Sequence, residues 1–191
     1  MKLLIVRHSE TIENIQRICQ GQTHGTLSDK GVEEAKKTGL RLKLFSIDCC
    51  YTSDLHRATD TARYIAEINP NLVVCKDIRL RERYFGSFQG QVFPESLSNF
   101  IPPEETETVE AIAARLLDFL SDIKHRHPHQ TVLVVSHGFT IRVLISIFMN
   151  LPATGLETLD DIENASLSIV DIQNESYQIS LLNDTSHLTK N

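Results

Sequence analysis

Two runs, LLIV at 3–6 and VLVV at 132–135, constrain this chain more than any other feature. Both are short, near-continuously apolar and rich in β-branched side chains. A strand with one wet face alternates apolar and polar residues, whereas an unbroken run fits a strand covered on both faces, as in a parallel sheet between helix layers. Each run is followed within two residues by a histidine, His8 or His137. Ligands of open α/β sheets bind beyond the carboxyl ends of the strands. The same feature therefore indicates a fold class and an edge at which function would sit, although one histidine after a strand is more often structural.

Helical spacing fills the chain between the two runs. Val32, Ala35, Gly39 and Leu42 recur at three or four, as do Leu55, Ala58, Ala62 and Ile65, and then Val109, Ile112, Ala113, Leu116, Leu120 and Ile123. Ser28 is the expected N-cap of the first helix and Ser53 or Asp54 of the second. Weaker strand signals occur at IDCCYTS, LVVC, SLSIVDI and YQISLL, the last two joined by a hairpin connection over 173–176. The alternation predicts a three-layer α/β/α sandwich with a mostly parallel sheet. One domain over 1–191 is expected, with a short covering insertion around 86–107 that contains the proline-bearing FPESLSNFIPPEETE.

Composition excludes several classes. The net charge is −6 without any basic cluster, so no nucleic-acid or acidic-membrane partner is expected. The four cysteines, at 19, 49, 50 and 75, have neither zinc-site nor disulfide-framework spacing. Only four apolar residues follow Lys2 before Arg7, too few for a signal-peptide core, and a cytoplasmic location is expected. The run VLVVSHGFTIRVLISIFMNL is broken by His137, Gly138, Thr140 and Arg142, so it reads as strand, turn and buried helix rather than a membrane span.

Two further residues are anomalous for a purely structural role. Arg57 would lie in the first turn of the second helix, where the helix dipole opposes a cation; it is either functional or an exposed arginine paired with Asp54 or Asp60. In DIRLRERYFG, an extended backbone puts Ile78, Leu80, Glu82 and Tyr84 on one side and Arg79, Arg81 and Arg83 on the other. Glu82 is then a carboxylate on an apolar side, unless the stretch is a solvated charge run with irregular backbone.

VRHSETIEN resembles the arginine-histidine-glycine-glutamate signature of the histidine phosphatase superfamily, the phosphoglycerate mutase-like proteins. LSDKGVEEA, SDLHRATDTA, LRERYFGSFQG, VVSHG and the tail LNDTSHL are similar to that family's later blocks and stand in the same order. The resemblance implies a phosphoglycerate mutase-like fold and His8 as a nucleophile that takes a phosphoryl group on a neutral ring nitrogen, with the other nitrogen held as a donor by a carbonyl. It implies that Arg7, Arg57 and His137 surround the transferring group, that Asn14, Gly138, Gln20 and Gly21 complete the phosphate site, and that no metal or cofactor is used; Ser9 would put a side chain beside that site, where its hydroxyl either bonds the phosphate or narrows the entrance. Glu82 would protonate the leaving alkoxide and then activate water, from apolar surroundings.

Three departures from the pattern stand out: Ser9 for glycine, His24 for an acidic residue and Gln89 for glutamate. A mutase needs a covering segment and extra cations to exclude water and hold a small anionic acid. Here about sixteen residues separate Gly90 from the long helix, with no Lys or Arg between Gly90 and Arg115, and Phe139 follows Gly138 where the mutases carry asparagine. The expected activity is therefore a phosphomonoesterase acting on a small phosphorylated metabolite. The alternatives are a cofactor-dependent phosphoglycerate mutase and an inactive phosphate-binding module.

Overall fold

A computed structural model describes residues 1–95, 100–174 and 176–189, with the backbone alone at Ala153 and Thr154. Residues 96–99 of the expected covering segment, residue 175 of the hairpin connection and residues 190–191 lie outside the described residues. Both apolar runs are strands, β1 (Lys2–Arg7) and β4 (Thr131–Ser136), and they are parallel neighbours in register from Lys2↔Thr131 to Arg7↔Ser136. With β2 (Cys49–Thr52), β3 (Val74–Lys76), β5 (Leu167–Gln173) and β6 (Ser176–Asp184) they form one sheet of order β3-β2-β4-β1-β5-β6. The β1–β4, β2–β4 and β2–β3 pairs are parallel, whereas β1–β5 and the β5–β6 hairpin are antiparallel, so the sheet is mixed, with the expected parallel part formed by β3, β2, β4 and β1.

Burial explains the unbroken runs. Leu3, Ile5, Val132 and Val134 pack on one side with Ile112, Leu116 and Phe119 of α4 (Val109–Arg126) and Ile141, Val143 and Leu144 of α5 (Gly138–Phe148). Leu4, Val6, Leu133 and Val135 pack on the other side with Leu42 of α2 (Asp29–Leu42) and Ala58, Ala62 and Ile65 of α3 (His56–Ile68). Each fully buried strand side chain contributes roughly 1.5–3 kcal/mol, and a polar residue at any of these positions would lack a partner. Three layers result, as predicted. The long run at 132–151 is β4, a one-residue turn and α5, and among the described residues no helix is long and apolar enough to cross a membrane.

Two local expectations are corrected. Ser28 caps α2 by accepting from Gly31 N, but α3 starts after Leu55, which has no side-chain cap. Asp54 is taken by a two-bond ion pair with Arg81 (2.7 and 2.5 Å), and Ser53 Oγ reaches only Leu55 N, so neither is free to cap. The segment 78–84 is not an extended strand either: Ile78–Leu80 is a 3₁₀ turn, and Ile78 and Tyr84 are 65% and 41% exposed while Leu80 is fully buried. The alternation argument for Glu82 therefore fails, and the position of its carboxylate has another cause.

Candidate active site

The registered ends of β1 and β4 bring the two histidines together. His8 N donates to Ser136 O (2.8 Å), and the His8 and His137 rings lie 5.2 Å apart. Both side chains are buried, at 3% and 0% exposure. His8 Nδ1 faces Ser9 O at 2.8 Å; a carbonyl can only accept, so Nδ1 carries the proton and Nε2 presents its lone pair. Arg57 Nε donates to that atom at 3.3 Å. Burial, reinforced by the Arg57 and Arg7 charges, holds His8 well below the ordinary histidine pKa. The same causes, with His8 added, lower His137, and neither nitrogen of His137 has a hydrogen-bond partner among the described residues.

Arg57 is fully buried rather than surface-paired. Its Nη1 donates to Thr23 O (2.5 Å) and His24 O (3.1 Å), and its Nη2 to Gly21 O (2.7 Å). Three carbonyls thus aim the guanidinium at His8 in place of a carboxylate, leaving its charge available, and burial pushes its pKa down to about 10. Asp60 lies instead beside Arg63. Arg7 donates through Nη1 to Ile162 O, while its buried Nε has no partner among the described residues. A Cβ on Gly138 would stand 3.3 Å from that Nε, so glycine lets the turn close on the guanidinium.

The apolar surroundings expected for Glu82 are not what the structure shows. Its Oε1 accepts from Arg83 N (2.9 Å), Thr140 N and Thr140 Oγ1 (both 3.1 Å), and its Oε2 accepts from Phe139 N (3.2 Å). His137, the N-cap residue of α5, makes no side-chain cap bond. Glu82 satisfies the orphan donors of that helix from outside, and the helix start rather than strand phase sets its carboxylate facing the site.

A cavity of about 450 Å³ opens beside these groups, lined by Arg7, Asn14, Gln20, Gly21, Arg57, Glu82 and Gly138 among the expected residues, whereas the buried rings of His8 and His137 are not part of its lining. Asn14 Oδ1 accepts from Thr11 N (3.1 Å) and from Asn164 Nδ2 (3.3 Å), which leaves its Nδ2 to donate elsewhere. Gln20 donates to Thr11 Oγ1, with Oε1 unpartnered among the described residues. Ser9 does not line the cavity: its N donates to Thr61 Oγ1, and its hydroxyl is buried without a partner among the described residues. Sequence reasoning missed the upper wall, where Phe85, Phe93, Phe100 and Phe139 line the space with Arg83 and Arg142. Arg83 lies over the rings of Phe139 and Phe85 at 4.7 and 5.3 Å. The one available signal was the density of phenylalanine over 85–100.

A buried neutral imidazole between guanidiniums, at the carboxyl edge of a three-layer sheet, defines an α/β protein suited to a tetrahedral oxyanion. Residues 3–185 match the family model described as the histidine phosphatase superfamily (branch 1); the chain belongs to that superfamily and is a phosphatase. It is 34% identical to the uncharacterized phosphatase PhoE of Bacillus subtilis (strain 168), over 97% of this chain and 95% of the relative. It is 31% identical to the metal-independent phosphoserine phosphatase of Arabidopsis thaliana, over 98% and 83% of the two chains. Among solved structures, Bacillus stearothermophilus YhfR superposes with a TM-score of 0.90 at 26% identity, covering 98% of this chain and 99% of the other.

Proposed function

We propose that the protein hydrolyses small phosphomonoesters through a phosphohistidine on His8 Nε2. The observation that carries this reading is the Nδ1–Ser9 O hydrogen bond (2.8 Å), which fixes the tautomer and makes Nε2 the lone-pair atom of a neutral imidazole; that lone pair accepts a long bond from Arg57 Nε (3.3 Å), which it exchanges for phosphorus when substrate binds. In the first step the Nε2 lone pair forms the N–P bond, the ester P–O bond breaks, and Glu82 delivers a proton to the departing oxygen. In the second step Glu82 takes a proton from water, the water oxygen bonds to phosphorus, the N–P bond breaks and phosphate leaves. Glu82 Oε2, with one hydrogen bond and a lining position, is the atom that moves the proton.

Arg7, Arg57 and His137 hold the phosphoryl oxygens, with the Asn14 amide beside them. Fixed donors of this kind are worth about 2.7–4 kcal/mol each in the transition state. The leaving group rests against the phenylalanines of the upper wall, so the reading favours a substrate with an apolar or planar part next to the phosphate. The phosphoserine named for the plant relative is a small member of the same reaction class. Phosphoglycerate mutase activity is the weaker reading: Arg83 and Arg142 add cations to the cavity, but the described part of the cover brings only aromatic and proline side chains to it, with no Lys or Arg between 90 and 115, and the relatives at 34% and 31% identity are named phosphatases.

Hydrolysis of an aryl phosphate with chelator present, with His8→Ala as control, tests the proposal. Turnover is expected to survive the chelator and to fall at least about 10³-fold in the variant. Activity that requires added metal, or that persists in His8→Ala, overturns it.

A further inference from the structure

The C-terminal stretch NDTSHL (183–188) has no part in the proposed chemistry, yet its contacts converge on one turn. That turn, 161–166, abuts the nucleophile. Asn164 Nδ2 donates to His8 O (3.0 Å) and to Asn14 Oδ1 (3.3 Å), Ala165 N donates to His8 O (3.3 Å), and Arg7 N donates to Ser166 O (3.3 Å). Arg7 also donates through Nη1 to Ile162 O. Fully buried Ala165 adopts φ +56, a left-handed conformation that a non-glycine residue keeps only when its surroundings impose it.

The tail supplies that constraint. Asn183 Oδ1 accepts from Glu163 N (2.8 Å), and Asn183 Nδ2 donates to Asp161 O (2.9 Å). His187 Nε2 lies 3.1 Å from Ala165 O, an atom that can only accept, so Nε2 carries the proton; Thr38 Oγ1 of α2 stands beside it at 3.1 Å. The tail is itself fixed to α2, with Lys37 Nζ donating to Leu188 O (2.7 Å).

We infer that Asn183 and His187 are positioning residues: they clamp the strained turn so that Asn164 holds the His8 carbonyl and orients the Asn14 amide, while Ile162 aims Arg7. The catalytic consequence rests on the proposed roles of Asn14 and Arg7; the geometric one does not.

His187→Ala, His187→Gln, Asn164→Ala and the double variant His187→Ala/Asn164→Ala, all in the full chain, separate the two. Two readouts are needed: NMR resonances of the Asn14 side-chain amide and the His8 ring, and kcat/KM on an aryl phosphate. His187→Ala is expected to shift both resonances and lower kcat/KM about 10-fold, part of the about 10²-fold that a 1 Å misplacement costs. His187→Gln, which keeps a donor, restores both. Once Asn164 is gone, the His187 substitution adds little. Unmoved Asn14 and His8 resonances in folded His187→Ala, or losses that simply multiply in the double variant, overturn the clamp. If His187→Ala does not fold, Asn183→Ala is read by the same resonances with the same criterion. A wild-type chain inactive on aryl phosphates overturns the phosphatase reading instead, and the resonances then decide the clamp.

Discussion

The floor and the upper wall of the cavity are built on opposite principles. On the floor, the orienting bonds are named and directional: Ser9 O fixes His8, three carbonyls fix Arg57, and four donors fix Glu82. On the wall, Phe93 and Phe100 meet ring to ring at 5.8 Å, and both pack on Phe88, which is not part of the lining, at 5.3 and 4.6 Å, contacts with broad angular tolerance. Directional bonds preorganise a reacting geometry, whereas adaptable aromatic surface selects by shape and area. Turnover of the phosphoryl group should therefore depend on the floor alone, and discrimination among leaving groups on the wall.

The largest expected effect comes from breaking the floor. Arg57→Lys keeps a charge but cannot bond three carbonyls and His8 together, and kcat/KM for any phosphomonoester should fall by about 10²–10³. An equal or larger loss in Phe100→Ala would erase the contrast between the regions. Acid should weaken the floor next. Buried His8 and His137 have folded pKa values well below 6.5, so under acid the unfolded chain binds protons that the folded chain cannot. Their stabilising effect is complete above 6.5 and is lost as the pH falls below it, by about 1.4 kcal/mol per pH unit for each imidazole. Denaturant unfolding of wild type and His137→Gln from pH 7 to 5 should show a shallower loss in the variant.

The wall should respond selectively. Phe100→Ala or Phe93→Ala is expected to raise KM several-fold for an aryl phosphate and leave kcat within about twofold, since truncating an apolar contact removes binding shared by ground and transition states. Equal effects on a leaving group without apolar surface would break the comparison. The smallest expected change is at Ser9. Its hydroxyl is buried and has no hydrogen-bond partner among the described residues, so it orients none of the groups on the floor; Ser9→Ala should leave kcat/KM unchanged and raise the melting temperature, because an unpaired buried hydroxyl costs about 1–3 kcal/mol. A clear kinetic change would move Ser9 to the phosphate side of His8.

What the sequence disclosed follows the range of the physics involved. The runs at 3–6 and 132–135 were legible because burial on two faces leaves a local signature, and His8 and His137 followed from their ends. Arg57 was legible as an electrostatic anomaly. Glu82 lines the cavity, but the strand phase that singled it out fails, since Ile78 is exposed and a 3₁₀ turn replaces the expected strand. The caps at Ser53 and Asp54 misled because Arg81, 27 positions away, competes for the Asp54 carboxylate. Asn164 and Ala165 were silent, and His187 was marked only as part of the tail LNDTSHL with no role, because a left-handed alanine and contacts between residues more than 140 apart leave no periodicity to read.

Glu82 has a last consequence. The oxygens that the proposed mechanism uses also close the open end of α5, the helix that begins at the turn carrying His137. In Glu82→Gln an amide nitrogen must face a donor already present at Phe139 or Thr140, so the isosteric variant loosens the histidine turn whatever it does to proton transfer. In the proposed mechanism proton carrier and fastener are one group of atoms. A variant at Glu82 therefore mixes chemical with mechanical change, and substitution at His8 is the cleaner test of the chemistry.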